Sequence, residues 1–310
     1  MRRKRKLAKW EFDEIIRKNL IASGISEECF GYRTIEKSWV EEDYPDYYEN
    51  AEFAKFLEKM ETNYPNHYRK FWGDPDAAEN KGGKGGELVP KKGRWGMVPP
   101  KMASVASSSR FCYLALRDGT DALIPGRSLT KDDVEFEKEC RIFEAGGTAP
   151  QLDAYVKDEV CDRYIEAKCH EIFDKHRIEL KNKYWDIFKE EKSLRPVLSK
   201  AVKYRESFEL PKEVFGLTSN HMRFDVKQLV CHLLGIAKQS EGKYAELVYL
   251  FFKPVCEEEE LSAKMDEVFE ELQQETDAIF QCKPIKEFCE EHKIRLRVII
   301  QNEKVMGPLK

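Results

Sequence analysis

The stretch APQLDAYVKDEVCDRYIEAKCHE, residues 149–171, decides the fold. "PQLDAYV" and "DRYIEAKCHEIF" each read as a strand, and only a few residues, around Lys157 to Val160, separate them. The two are therefore expected to be antiparallel neighbours. Side chains alternate along a strand, so Glu166 and Lys168 share one face while Ile165, Ala167 and Cys169 share the other. A register that sets Asp153 opposite Glu166 brings two carboxylates side by side, an unfavourable pair unless a cation sits between them. Mg²⁺, or Mn²⁺ in its place, takes hard oxygen ligands. Asp153, Glu166 and the backbone carbonyl of Ala167 would supply three and leave positions for water and a substrate phosphate. Lys168 would stand beside the ion, able to orient or deprotonate a water and to stabilise charge on phosphorus oxygens. A hairpin with its polar face in water and a cross-strand Lys–acid pair is the competing reading. It stays open at this point, because Glu-x-Lys occurs six times in a chain that is 35% charged.

Working outward, "SVASSSRFCYLALRDG" predicts a helix with Ser caps ahead of Phe111, Leu114 and Leu116, ended by Gly119. "DVEFEKECRIF" alternates as a strand and "GG" at 146 and 147 turns the chain. Downstream, "HRIELKNKYWDIFKEEK" is expected to be helical and the chain to about residue 222 less regular. "RFDVKQLVCHLLGIAKQ" predicts a helix with a broad apolar face, and "AELVYLFFKP" is a continuous apolar run suited to a fully buried strand. After the solvated "CEEEE", "LSAKMDEVFEELQQETDAIF" and "IKEFCEEH" predict helices, and "IRLRVII" a last strand. Residues 1–100 read as a helical and irregular extension, with helices at "KLAKWEFDEIIRKNLIASG" and "EFAKFLEKM" and a glycine-rich loop over 73–100. Those glycines follow neither G-x-G-x-x-G nor the Walker pattern.

A hydrophobic content of 41% with 12% aromatics is that of a globular chain, and 310 residues suffice for one large domain or two. The net charge of −4 gives no overall positive field, so any nucleic-acid surface must be local. "MRRKRK" is the densest basic run and reads equally as a solvated tail or a phosphate contact. No apolar run approaches a membrane span and none resembles a secretion signal, so a cytoplasmic location without membrane association is expected. Nine cysteines without a C-x-x-C pair or a close Cys/His quartet argue against structural zinc and a disulfide framework, and most are expected to be buried thiols.

These residues resemble the PD-(D/E)XK phosphodiesterase superfamily, the restriction-endonuclease-like fold, whose core runs helix, three antiparallel strands, helix, strand, with Asp on the second strand and Glu-x-Lys on the third. "APQLD" supplies Asp153, with Pro150 three residues ahead rather than one, and "YIEAK" supplies Glu166 and Lys168. The ordered blocks "SSSRFCYLAL", "VEFEKE", "GGTAPQLDAYV", "YIEAKCHE", "QLVCHLLGI" and "LVYLFFKP" are similar to a bacterial group of restriction-endonuclease-like proteins, over roughly residues 101–260. The resemblance implies an α/β fold with a mixed sheet flanked by helices over 101–310, following the extension of 1–100. It also implies a Mg²⁺-dependent endonuclease acting on DNA, in a bacterial restriction or defence role. Asp153, Glu166 and Lys168 would be catalytic, and Gln228, whose helix carries a supporting Gln in some exonuclease branches, would contact the site or the DNA. The superfamily's further Glu on the first helix is missing here; Glu137, or Glu135, is the substitute candidate. His170 and Glu171 directly follow the motif; His170 would fall on the same strand face as Lys168, touching phosphate or standing as a surface histidine, and His232 lies one helical turn beyond Gln228, facing the same way or buried as a core histidine. Two rivals stay open: a nucleic-acid-binding protein that does not cut, and a helical interaction scaffold in which the hairpin is structural. Homo-oligomerisation is compatible with all three.

Overall fold

Where the sequence is most apolar the fold is most regular. β11 (Tyr244–Pro254) is buried along nearly its whole length, as the run AELVYLFF requires, and it lies inside a five-stranded sheet of order β12–β11–β7–β6–β5. The structure is a computed structural model that describes residues 6–37, 40–48, 50–72, 87–88, 91–93, 96–98, 100–117, 130–144, 149–174, 176–218 and 222–303. The turn at Gly146 and Gly147, most of the 73–100 loop and all of MRRKRK except Lys6 lie outside the described residues.

In chain order, α1 (Lys9–Ala22) is followed by an antiparallel pair, β1 (Phe30–Lys37) and β2 (Val40–Tyr48), then α2 (Asn50–Asn63) and α3 (Pro65–Trp72). The short ladder of β3 (Lys91–Gly93) and β4 (Gly96–Val98) comes next. The first hundred residues thus contain hairpins as well as helices, which corrects the expectation of a helical and irregular prefix. Helix α4 (Ser108–Leu116) begins where expected, with Ser107 Oγ accepting from the Arg110 N–H at 3.1 Å. Strands β5 (Val134–Glu139), β6 (Gln151–Val156) and β7 (Cys161–Lys168) form an antiparallel meander. Strand β7 ends at Lys168 and the chain turns through a 3-10 helix at His170–Phe173, so the third strand is shorter than "DRYIEAKCHEIF" suggests.

The segment expected to be helical after it opens instead with a strand, β8 (Glu179–Lys181), before the short helices α5 (Trp185–Glu190) and α6 (Arg195–Leu198). Ile178 and Leu180 are buried, so alternation prevails there over helical spacing. The less regular region beyond holds β9 (Val202–Lys203) and β10 (Ser207–Glu209), which join β8 in a separate sheet of order β8–β10–β9. Helix α7 (Val226–Ser240), capped by Asp225, leads into β11, and then follow α8 (Glu259–Gln281), α9 (Lys283–Glu291) and β12 (Ile294–Glu303). Strands β11 and β12 run parallel to β7, so the sheet is mixed and the architecture α/β.

Helix α7 covers the sheet face that carries Glu166 and Tyr249; α4 covers the other, where Phe111 meets Phe252 with ring centroids 5.0 Å apart. The seat of α7 depends on Gly235: a Cβ there would lie 2.7 Å from both the Cβ and the carbonyl oxygen of Cys140. The N-terminal extension shares the core rather than hanging from it, with Phe12, Ile15, Ile16 and Leu20 of α1 buried in the same apolar cluster. Eight described cysteines are free thiols; three are fully buried and five half-buried, fewer in the core than expected. Among the described residues no helix is long and apolar enough to cross a membrane.

Candidate functional site

The meander lines up three carboxylates. Ala154 pairs with Ile165, and one further step in the same register sets Asp153 opposite Glu166. On the other side, Phe136 pairs with Ala154 and Lys138 with Leu152, which leaves Glu137 opposite Asp153. Backbone pairing between β6 and β7 stops short of this row: the Ala167 N–H donates instead to Asp153 Oδ2, at 2.7 Å. On a strand the N–H and C=O of one residue point to the same side, so the Ala167 carbonyl also faces the gap beside Asp153.

Glu137 departs from strand geometry, with φ at 55°. A non-glycine residue pays for that left-handed backbone in free energy, and such strain concentrates at functional positions. The row opens into a cavity of about 500 Å³ lined by Glu137, Asp153, Glu166, Lys168, Gln228 and His170, together with Glu87, Lys101, Glu171 and the serines of the first turn of α4.

Glu166 is held from three directions. Its Oε1 accepts from Lys168 Nζ at 2.5 Å and from Gln228 Nε2 at 2.7 Å, while Oε2 lies 3.8 Å from His232 Nε2. Gln228 is aimed by the start of α7, where its own N–H donates to the capping Asp225. His232 is a core histidine, 1% exposed, and it also meets the Tyr249 hydroxyl at 3.4 Å. Burial lowers its pKa, against the charge of Glu166, and so favours the neutral ring.

The electrostatics are those of too many acids for the cations present. Burial first, then the charges of Glu166 and Glu137, push the Asp153 carboxyl well above the ordinary carboxylate range, with Lys168 and the Ala167 N–H opposing. Burial and Glu87 push Glu137 up to about 8, with Lys101 opposing. Burial disfavours the Lys168 ammonium, but Glu166, Glu171 and Asp153 around it win and hold its pKa above the usual lysine range. Lys168 is therefore held as a cation against Glu166. Glu171 is equally engaged: its Oε2 accepts from the Cys169 N–H at 2.7 Å, and the charges of Lys168 and His170 overcome burial to keep its pKa low.

Two candidates sit differently from expectation, and one lining acid was not among the candidates. His170 lies beyond the end of β7, not on a shared strand face with Lys168, and its Nδ1 is 2.9 Å from Asp13 Oδ1 of α1. Glu135 is bound by Lys138 at 2.9 Å and Lys70 at 3.3 Å and does not line the cavity, so of the two substitute acids only Glu137 does. No acid in the α4 first turn replaces the missing helix Glu. Instead Glu87, 3% exposed and paired with Lys101 at 2.8 Å, enters the cavity from the 73–100 segment.

Glu137, Asp153 and Glu166 do not form a set of oxygens all within 4.8 Å of one another. Among the described residues the one such set of three is Glu191, Glu291 and His292, away from the cavity lining. No family model, curated protein or solved structure matches this chain.

Proposed function

We propose that the protein is a metal-dependent nuclease with a restriction-endonuclease-like core, hydrolysing phosphodiester bonds in DNA. One observation carries the reading: Asp153 and Glu166 face each other at the point where β6 and β7 part, with the Lys168 ammonium on Glu166. The order of α4, the β5–β7 meander, α7 and β11 supports it, as the element order the resemblance implies.

The donor set fits a divalent cation. Asp153 keeps Oδ1 without a hydrogen-bond donor among the described residues, the Ala167 carbonyl points to the same gap, and the buried carboxylates outnumber the ammonium groups near them. Asp153, Glu166 and the Ala167 carbonyl would hold Mg²⁺ or Mn²⁺, which when bound supplies a Lewis acid for the phosphate and a more acidic water.

The chain's own residues do the rest. Lys168 donates to a non-bridging phosphate oxygen and stabilises the charge that grows there as the water oxygen bonds to phosphorus. The P–O bond to the leaving sugar oxygen breaks on the opposite side, and the water's protons pass to solvent and to that oxygen. Gln228 keeps Glu166 turned toward the cavity, and His232 packs beneath its second oxygen. Glu137, opposite Asp153, and Glu87 also line the cavity. Incubating supercoiled plasmid with the protein and Mg²⁺ or Mn²⁺ tests the reading. Nicking that chelator stops and Asp153→Asn removes is expected; nicking that survives Asp153→Asn would locate the chemistry elsewhere.

A further inference from the structure

The turn that follows β7 gives the cavity a histidine whose partner comes from the N-terminal extension. Strand β7 ends at Lys168, the Cys169 N–H donates to Glu171 Oε2, and in the 3-10 turn so formed His170 meets α1, with its Nδ1 at 2.9 Å from Asp13 Oδ1. Two more contacts seat α1 on this turn. The Phe12 ring stands 5.2 Å from that of Phe173, and Lys9 Nζ lies 3.1 Å from each oxygen of Asp174. Asp13 thus reaches the imidazole from a fixed helix.

Asp13 does little for that helix itself. It is 6% exposed, on a face whose other buried members, Phe12, Ile15, Ile16 and Leu20, are apolar, and its side chain has His170 as its one hydrogen-bond partner among the described residues. A buried ion pair of this kind adds little to stability, since an apolar pair of the same volume serves a fold as well or better. The pairing does fix the ring. A carboxylate oxygen only accepts, so Nδ1 carries the donated proton and Nε2 is the nitrogen left over. His170 lines the same cavity as Asp153, Glu166 and Lys168, and its Nε2 is neither hydrogen-bonded among the described residues nor sealed from solvent.

The charged groups around the ring are Asp13 and Lys9 from α1 and Glu171 from its own turn, the last held also by Ser108 of α4 and by the charge of Lys168 of β7. Burial disfavours the imidazolium, but the hydrogen bond and charge of Asp13 outweigh it, with Lys9 opposing and Glu171 assisting, and the pKa is held above the ordinary histidine range. Such a ring is a proton donor matched to near-neutral pH. The other lining groups suit that part less. Lys168 is held by Glu166 and keeps its proton beyond the usual lysine range, while Asp153 and Glu137 stand in the acid row, which gives up its protons when a divalent cation is held there.

We infer that His170 is the general acid of phosphodiester cleavage and Asp13 its positioning residue, so that the N-terminal helix completes the site. The inference rests on the nuclease reading. As the water oxygen bonds to phosphorus, the electron pair of the breaking P–O bond goes to the leaving sugar oxygen, which takes the proton from His170 Nε2. The ring, still donating its Nδ1–H to Asp13, recovers a proton from solvent, to which the attacking water has given one.

The test is single-turnover cleavage of a labelled oligonucleotide by the full chain under Mn²⁺, with the ordinary phosphodiester and with a bridging phosphorothiolate whose leaving atom is sulfur. A thiolate leaves without being protonated. His170→Gln should slow cleavage of the ordinary bond about a hundredfold or more, and of the sulfur bond by less than about threefold. Asp13→Asn should move the fall in rate at high pH to lower pH, which loss of packing alone does not do. A second readout needs neither metal nor cleavage: in chelator, the ring carbon signal that His170→Gln removes from the spectrum of ¹³C-histidine protein should titrate above the ordinary histidine range in wild type and at lower pH in Asp13→Asn. Equal losses on both bonds by a His170→Gln protein that thermal melts show folded, wild-type cleavage by that variant, or a His170 titration that Asp13→Asn leaves in place would each overturn the inference while the nuclease reading stands. A wild type that cuts neither substrate would overturn both.

Discussion

Removing the charge of Glu137 should stabilise the metal-free protein, and more so as pH rises. Glu137 has its pKa raised from 4.5 to about 8 by burial and by Glu87, so between those values the folded chain holds a proton that the unfolded chain has lost. The stability this proton contributes is complete below pH 4.5 and is lost as pH rises through 8. At about 1.4 kcal/mol per pH unit of difference the ionised group would cost the fold up to about 5 kcal/mol, and water in the cavity mouth screens part of that, leaving about 2 kcal/mol. Glu137→Gln keeps the shape and removes the titration. Urea unfolding in chelator at pH 5 and pH 8.5 should therefore find the variant gaining about 2 kcal/mol on wild type between the two. Asp153 pulls in the same direction in both proteins, so both should lose stability toward high pH, wild type the faster. Parallel pH profiles would refute the reasoning, because they would mean that Glu137 is not held among uncompensated acids.

Other outcomes follow from the same geometry. Mg²⁺ should raise the thermal midpoint of wild type by binding the folded state, Asp153→Asn should abolish most of that rise, and Glu191→Gln should leave it intact; the reverse pattern would assign the ion to Glu191, Glu291 and His292. Gln228→Leu removes the donor on Glu166 Oε1, so it should slow Mg²⁺-dependent nicking about tenfold or more without unfolding the protein, as thermal melts would check. Gly235→Ala forces a methyl to within 2.7 Å of Cys140, and denaturant unfolding should find it about 1–3 kcal/mol less stable than wild type.

Much of this site was legible because a strand's two-residue period is rigid. Alternation alone sets Glu166 and Lys168 on one face, and a four-residue connection leaves few registers, one of which pairs Asp153 with Glu166. The same alternation offered Glu135, Glu137 and Glu139 equally; the choice of Glu137 depends on its positive φ and on Lys70 and Lys138 taking Glu135, neither of which has a local signal. Glu87 was illegible for a similar reason. It lies in a segment without periodicity, and it is held at the cavity by its own backbone carbonyl, which accepts from the Met102 N–H. Strand β8 was misread because Ile178 and Leu180 are two apolar residues among alternating charges, a pattern that fits an exposed helix until Phe208 is known to lie opposite. The hairpin of β1 and β2 is rich in charge and tyrosine rather than in aliphatic alternation, so it read as irregular chain.

Lys168 tests the central claim most directly, because its assigned part is in the transition state and not in holding the ion. The measurement is the single-turnover rate of cleavage of a labelled oligonucleotide under saturating Mg²⁺, for wild type and Lys168→Ala, with metal affinity followed in parallel by thermal shift. The account predicts a rate loss of about a hundredfold or more with the Mg²⁺-induced stabilisation retained. A variant that cleaves at the wild-type rate, or a wild type that cleaves nothing with Mg²⁺ or Mn²⁺, would contradict it.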